Sequence, residues 1–119
     1  MQLTMKLSDH FDLSEFEHSP TAIRLGIDNR TPDSLIPNLR RLCEQVLEPL
    51  RQHFNVAVSI NSGYRCPALN RAVGGAAGSY HLQGRAADIP FRSDWYAYLR
   101  DHLPHTELLN EGTWIHIAL

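Results

Sequence analysis

Cysteine is scarce in this sequence, with only Cys43 and Cys66 among 119 residues. Two are too few for the disulfide framework of a small secreted scaffold, and they form no CxxC ligand pair. We read both as reduced thiols, with a single Cys43–Cys66 bridge as the lesser alternative. Long apolar runs are also missing. None approaches the ~20 residues that a membrane helix needs, so no membrane role is expected. The start, MQLTMKLSDHF, lacks the apolar stretch and small-residue cleavage site of an export signal. The chain is therefore expected to be cytoplasmic as synthesised. Charge of one sign is absent too: 11 Lys+Arg face 13 Asp+Glu for a net charge of -2. With no basic block, a dedicated nucleic-acid binder is excluded. There is no internal repeat and no low-complexity segment.

What the sequence does have is enough apolar material, 43% of residues, for one domain. At this length roughly two-thirds of the unfolded chain's surface can be buried, so a core forms without disulfides or a structural metal. Any bound metal is then free to serve chemistry. A monomer is expected, as a single domain over 1–119 with an N-terminal helical flap at 1–30 and the core at 31–119.

Local patterns give the element order. Phe11, Leu13 and Phe16 fall within LSDHFDLSEFEHS at the spacing of short helical turns. Pro20 can open a second short helix and Gly26 can end it. Leu35, Leu39, Leu42, Val46 and Leu50 recur at three- and four-residue steps, the strongest periodic signal, and predict the main helix over about 33–52. Pro49 is expected to bend or end it. VAVSINSGY alternates around β-branched residues and predicts a buried strand. PALNRAVGG predicts a short helix closed by Gly74 and Gly75, followed by a glycine-rich loop. RAADIPF is a short strand, and SDWYAYLRDHL a helix capped by Ser93 and stopped by Pro104. TELLN and TWIHIAL are the last strands, joined at Glu111 and Gly112. The sum is an α+β fold: a small, mostly antiparallel sheet packed on the long helix.

Three residues of metal-ligand type fall where such a sheet would gather them: His81, Asp88 and His116. In RAADIPF, Asp88 points to the face opposite Ala87 and Ile89; in TWIHIAL, His116 opposes Ile115 and Ile117. A buried carboxylate and a buried imidazole each need a partner, and a shared cation satisfies both. Two histidines and one carboxylate leave a fourth tetrahedral position open, as in catalytic zinc sites. Taken singly, each residue has a plainer explanation: a solvated loop histidine, a turn aspartate, a hydrogen-bonded core histidine. Spacing alone leaves both readings open.

The stretch SGYRCPALNRAVGGAAGSYHLQGRAADI, taken with the terminal WIHI, resembles the zinc D-alanyl-D-alanine carboxypeptidase family of peptidoglycan peptidases, whose fold is shared with the hedgehog signalling domain. Its SGYR, SxHxxGxAxD and WxH elements match at Ser62 to Arg65, at Ser79, His81, Gly84, Ala86 and Asp88, and at Trp114 and His116. HFDLSEF and NLRRLCEQVLEPLR look like its short phage- and prophage-associated branch. The resemblance implies the hedgehog/DD-peptidase fold, Zn²⁺ held by His81, Asp88 and His116, and a peptidoglycan stem peptide containing D-amino acids as substrate. It also implies action on the cell wall after release or as part of a phage particle.

Further roles follow from the resemblance. Arg65 matches the arginine implied to face the substrate carbonyl or carboxylate, which suits a planar, permanently charged guanidinium. Glu111 is the carboxylate in the turn before WIHI, where the family keeps its general base. Here it stands five residues before His116, whereas some members have it three before, so it must reach from a longer turn. Glu107 is the competitor, expected to lie further from the metal. Ser79 and Tyr64 are candidate substrate contacts, with backbone capping and core packing as their plainer roles; Trp114 is a candidate cleft wall. A non-catalytic zinc-stabilised module that binds cell-wall peptide or a protein partner is the rival reading.

Overall fold

The computed structural model describes residues 5–119, so the first four residues of the expected flap lie outside the described residues. The flap begins as a hairpin rather than as helical turns: β1 (Lys6–Ser8) pairs with β2 (Phe11–Asp12). Helix α1 (Leu13–Glu17) follows, started by a reciprocal cap between Asp12 and Glu15. Phe11 and Phe16 are buried and meet edge to face. Helix α2 (Pro20–Leu25) starts at its proline and ends at Gly26 in the left-handed conformation, as expected. Its Ile23 and Leu25 stay exposed, and only Ala22 is buried.

The main helical rod runs from Asp33 to Phe54 and does not stop at Pro49. It comprises a 3-10 turn, α3 (Ile36–Leu42), a π turn at Cys43–Leu47, and α4 (Glu48–Phe54). The π turn is what accommodates the proline. Glu48 N–H donates to the Cys43 carbonyl, one residue further back than in an α-helix, and the widened turn relieves the clash a proline ring makes with the preceding turn. Leu39, Leu42, Val46, Leu47 and Leu50 are wholly buried against Ala87, Ile89, Ile115 and Ile117. Each such side chain contributes about 1.5–3 kcal/mol by leaving water.

The expected strand at VAVSINSGY does not form. The segment is extended but meets the sheet only at one bridge, Ser62 to Asp88, and Val56 is exposed. It passes the edge of the sheet at one point instead of running alongside it, so its alternation turns Val58 and Ile60 toward the core without a strand ladder. Helix α5 (Pro67–Ala72) follows, then a 3-10 turn at Tyr80–Gln83, strand β3 (Ala86–Pro90), helix α6 (Ser93–His102), and strands β4 (Glu107–Asn110) and β5 (Trp114–Ala118). The α6 cap is Arg92 rather than Ser93, and the Asp94 carboxylate accepts from the Trp95 N–H. The sheet order is β3-β5-β4, all antiparallel. One face, carrying Ile89, Ile115 and Ile117, packs on the rod, and the other carries the polar residues. Two small antiparallel sheets and several helices thus make an α+β fold. No described helix is long and apolar enough to cross a membrane.

Candidate metal centre and cleft

The register of β3 and β5 sets Asp88 directly opposite His116, so both side chains leave the sheet on its open face. His81 comes from the 3-10 turn, whose first N–H groups are capped by the Ser79 hydroxyl accepting from His81 N at 3.2 Å. Gly84 closes that turn at φ 67°, a left-handed conformation that brings the chain back into β3. One potential ligand atom from each of His81, Asp88 and His116 lies within 4.8 Å of the others, and all three residues are buried.

The outer nitrogens of both rings are held by acceptors. His81 Nδ1 is 2.6 Å from the Gly63 carbonyl and His116 Nε2 is 2.6 Å from Glu107 Oε1. A carbonyl and a carboxylate accept, so these nitrogens donate, and in neutral rings the inner nitrogens carry lone pairs. Those inner nitrogens face a single oxygen: Asp88 Oδ1 lies 3.2 Å from His81 Nε2 and 3.0 Å from His116 Nδ1. Three lone-pair donors converging in this way need either extra protons or a cation between them. The set therefore fits a divalent ion of zinc type.

Without a cation, protons on the inner nitrogens take its place, and the electrostatics of the cluster favour them. Burial pushes the Asp88 carboxyl up, but hydrogen bonds and charge from His116 and His81 outweigh it and hold Asp88 at about 2. Burial lowers the His116 pKa, and the Asp88 and Glu107 carboxylates overcome that and raise it. The second Asp88 oxygen faces Arg65, whose Nη2 is 3.6 Å away.

Arg65 is fixed by three groups. Its Nε donates to Ser62 Oγ at 3.3 Å, its Nη1 to Asn70 Oδ1 at 3.0 Å, and its backbone N–H to the His81 carbonyl. Asn70, on α5, is only 4% exposed, and its other side-chain atom donates to the Ala76 carbonyl at 2.9 Å. It thereby ties Arg65 to the glycine loop. Gly75 has to be glycine for this packing: a Cβ there would come 2.1 Å from Asn70 Oδ1 and 2.6 Å from Arg65 Nη1.

Arg65, the three clustered residues and Ser79 open onto one cleft of about 560 Å³, with Trp114 and Leu109 on its sheet side. Glu111 lines the same cleft, exposed in the turn after β4. Among the described residues, no hydrogen bond engages its carboxylate. Glu107 is closer than expected. Leu109 pairs with His116 and Glu107 with Ala118, so Glu107 shares the open face and stands one diagonal step from His116, within side-chain reach. Tyr64 is not in the cleft; it is 4% exposed and packs in the core. Of the other histidines, His10 bonds Glu48, His53 stacks on Tyr98, and His102 and His105 are exposed. Cys43 and Cys66 are free thiols.

Three contributors had not been singled out in the sequence. Asn70 bears a polar amide in a six-residue helix, a weak signal that gains meaning only beside Arg65. The Gly63 carbonyl has no side-chain signal at all. Asn29, buried, donates to the Tyr64 carbonyl and accepts from the Cys66 N–H, which anchors the backbone on both sides of Arg65.

Comparison with known proteins adds one finding: the family model described as Peptidase M15 matches residues 9–118. No curated protein matches the chain.

Proposed function

The chain belongs to the peptidase M15 family, which is zinc-dependent, and from that membership and the cleft geometry we propose that it hydrolyses peptidoglycan stem peptides containing D-amino acids. In this reading residues 1–119 form one peptidase domain of the hedgehog/DD-peptidase type, with 1–30 as a flap on a catalytic core. His81 Nε2, Asp88 and His116 Nδ1 hold the zinc. When bound, the metal supplies Lewis acidity, which polarises a carbonyl oxygen and lowers the pKa of a water to about 7.

The residues do the rest. Glu111, exposed in the cleft and with no hydrogen bond holding its carboxylate among the described residues, takes the proton of the attacking water and returns it to the leaving amine. Arg65, held by Ser62 and Asn70, presents a preorganised guanidinium to the substrate's carboxylate or to the developing oxyanion. Ser79 positions His81 through the backbone and borders the substrate path. The likeness of HFDLSEF and NLRRLCEQVLEPLR to the phage-associated branch supports action on the cell wall, after release or as part of a phage particle.

One observation carries the reading: two histidines and a carboxylate converge at the floor of a cleft that also holds a fixed arginine and a free glutamate. A pure binding module has no need of that glutamate. The test is digestion of purified muropeptides followed by mass spectrometry, with wild type and Glu111→Gln side by side. The variant keeps the side chain's shape but cannot accept the proton, so turnover should fall by roughly a hundredfold or more while zinc content persists. A wild type that binds muropeptides and never cleaves them would establish the binding module instead.

A further inference from the structure

We propose that Glu107 is a positioning residue for the metal centre, fixing the ring and tautomer of His116 so that Nδ1 is the atom presented to zinc. This rests on the zinc-site reading above. Glu107 Oε1 is 2.6 Å from His116 Nε2, on the side of the ring away from Asp88 and His81. A carboxylate can only accept there, so Nε2 carries a proton, and the neutral ring that a cation binds then has its lone pair on Nδ1. Nδ1 is the nitrogen that lies 3.0 Å from Asp88 Oδ1. The arrangement repeats what the Gly63 carbonyl does for His81 from the other flank. The two rings are thus locked from outside in opposite tautomers, one presenting Nε2 and the other Nδ1, toward the same point.

The two locks differ in robustness. His81 is 1% exposed and its acceptor is backbone, so its tautomer is set by the fold itself. The Glu107 side chain is 41% exposed on a strand at the sheet's edge, and the lock on His116 therefore depends on one replaceable side chain. The contact also decides between the two glutamates of the cleft. The Glu107 carboxylate is committed to an imidazole N–H on the far side of the ligand, which leaves Glu111 as the carboxylate free to handle a proton.

Zinc dissociation constants, measured by competition with a chromophoric chelator, should be compared for wild type, Glu107→Ala and Glu107→Gln. Long-range ¹H–¹⁵N NMR of the zinc-loaded proteins would read the His116 tautomer. The alanine change should weaken zinc binding about 10- to 100-fold. The glutamine change should restore most of that loss, because its amide oxygen still accepts from Nε2. Both wild type and Glu107→Gln should show Nε2 protonated. Equal zinc affinity in wild type and Glu107→Ala, or a zinc-loaded wild type with Nδ1 protonated, would overturn the proposal. So would a Glu107→Gln protein with intact zinc affinity and turnover reduced a hundredfold, since Glu107 would then be the base. A wild type that binds no zinc would instead remove the zinc reading itself. Glu107 is half exposed, so the variants are expected to fold, and the melting temperature of the metal-free proteins checks this.

Discussion

Replacement of Asn70 by alanine isolates what holds the Arg65 guanidinium. The side chain is 4% exposed and makes two bonds, accepting from Arg65 Nη1 at 3.0 Å and donating to the Ala76 carbonyl at 2.9 Å. A hydrogen bond to a charged group contributes about 1.5–3 kcal/mol and a neutral one about 1 kcal/mol. Asn70→Ala should therefore destabilise the protein by about 2–4 kcal/mol. At roughly 4 °C per kcal/mol for a domain of this length, the melting temperature should fall by about 8–16 °C. Guanidinium titration of the metal-free protein measures the free energy directly. The bond to Arg65 is separated by a double-mutant cycle with Arg65→Ala. If that bond is the larger share, the two losses should fall short of additive by about 1.5–3 kcal/mol. Additivity within about 0.5 kcal/mol would refute the assignment of Asn70 as the anchor of Arg65. Turnover offers a second reading: Asn70→Ala should lower kcat/KM about tenfold at unchanged zinc content, because the guanidinium loses one of its tethers.

Arg65→Lys should reduce kcat/KM on the best muropeptide about tenfold or more with zinc occupancy unchanged, since a point charge cannot reproduce a planar pair of donors; unchanged kcat/KM would take Arg65 out of the site. Glu48 gives a pH prediction. Burial raises its pKa, but hydrogen bonds from the His10 N–H, the His10 ring and Ser8 Oγ more than offset this and leave it lowered. A depressed folded-state pKa contributes stability that is present above the ordinary glutamate range and is lost as pH falls through the folded value. Wild type should thus exceed Glu48→Gln by about 1–2 kcal/mol at neutral pH, and urea titrations should show the gap shrinking below the ordinary carboxylate range. A gap independent of pH would refute it.

Much of the site was legible because it is written in local offsets. Strand alternation alone put Asp88 and His116 on faces opposite their isoleucine neighbours, and the seven residues from His81 to Asp88 leave room for one turn and a glycine. The rod was legible through its leucines, since a 3.6-residue period survives whatever the helix packs against. Its passage through Pro49 was not, because a π turn is a response to crowding that no single residue announces. The strand expected at VAVSINSGY failed for a related reason: alternation states that a segment could lie in a sheet, and only the competition among segments for a sheet edge decides whether it does.

The contacts that complete the site belong to tertiary structure. A place on the TELLN strand suggests that Glu107 lies further from the metal than Glu111 in the turn; the register of β4 on β5 instead sets its carboxylate 2.6 Å from the His116 ring. Asn70 and Gly75 become meaningful only when α5 folds its amide against Arg65. The sequence by itself determined which residues could bind a cation, because ligand chemistry and strand parity are properties of residues and their spacing. Which nitrogen of each imidazole faces inward was decided only by the fold, because a tautomer is set by the partner on the far side of the ring, and that partner arrives from another strand or another loop.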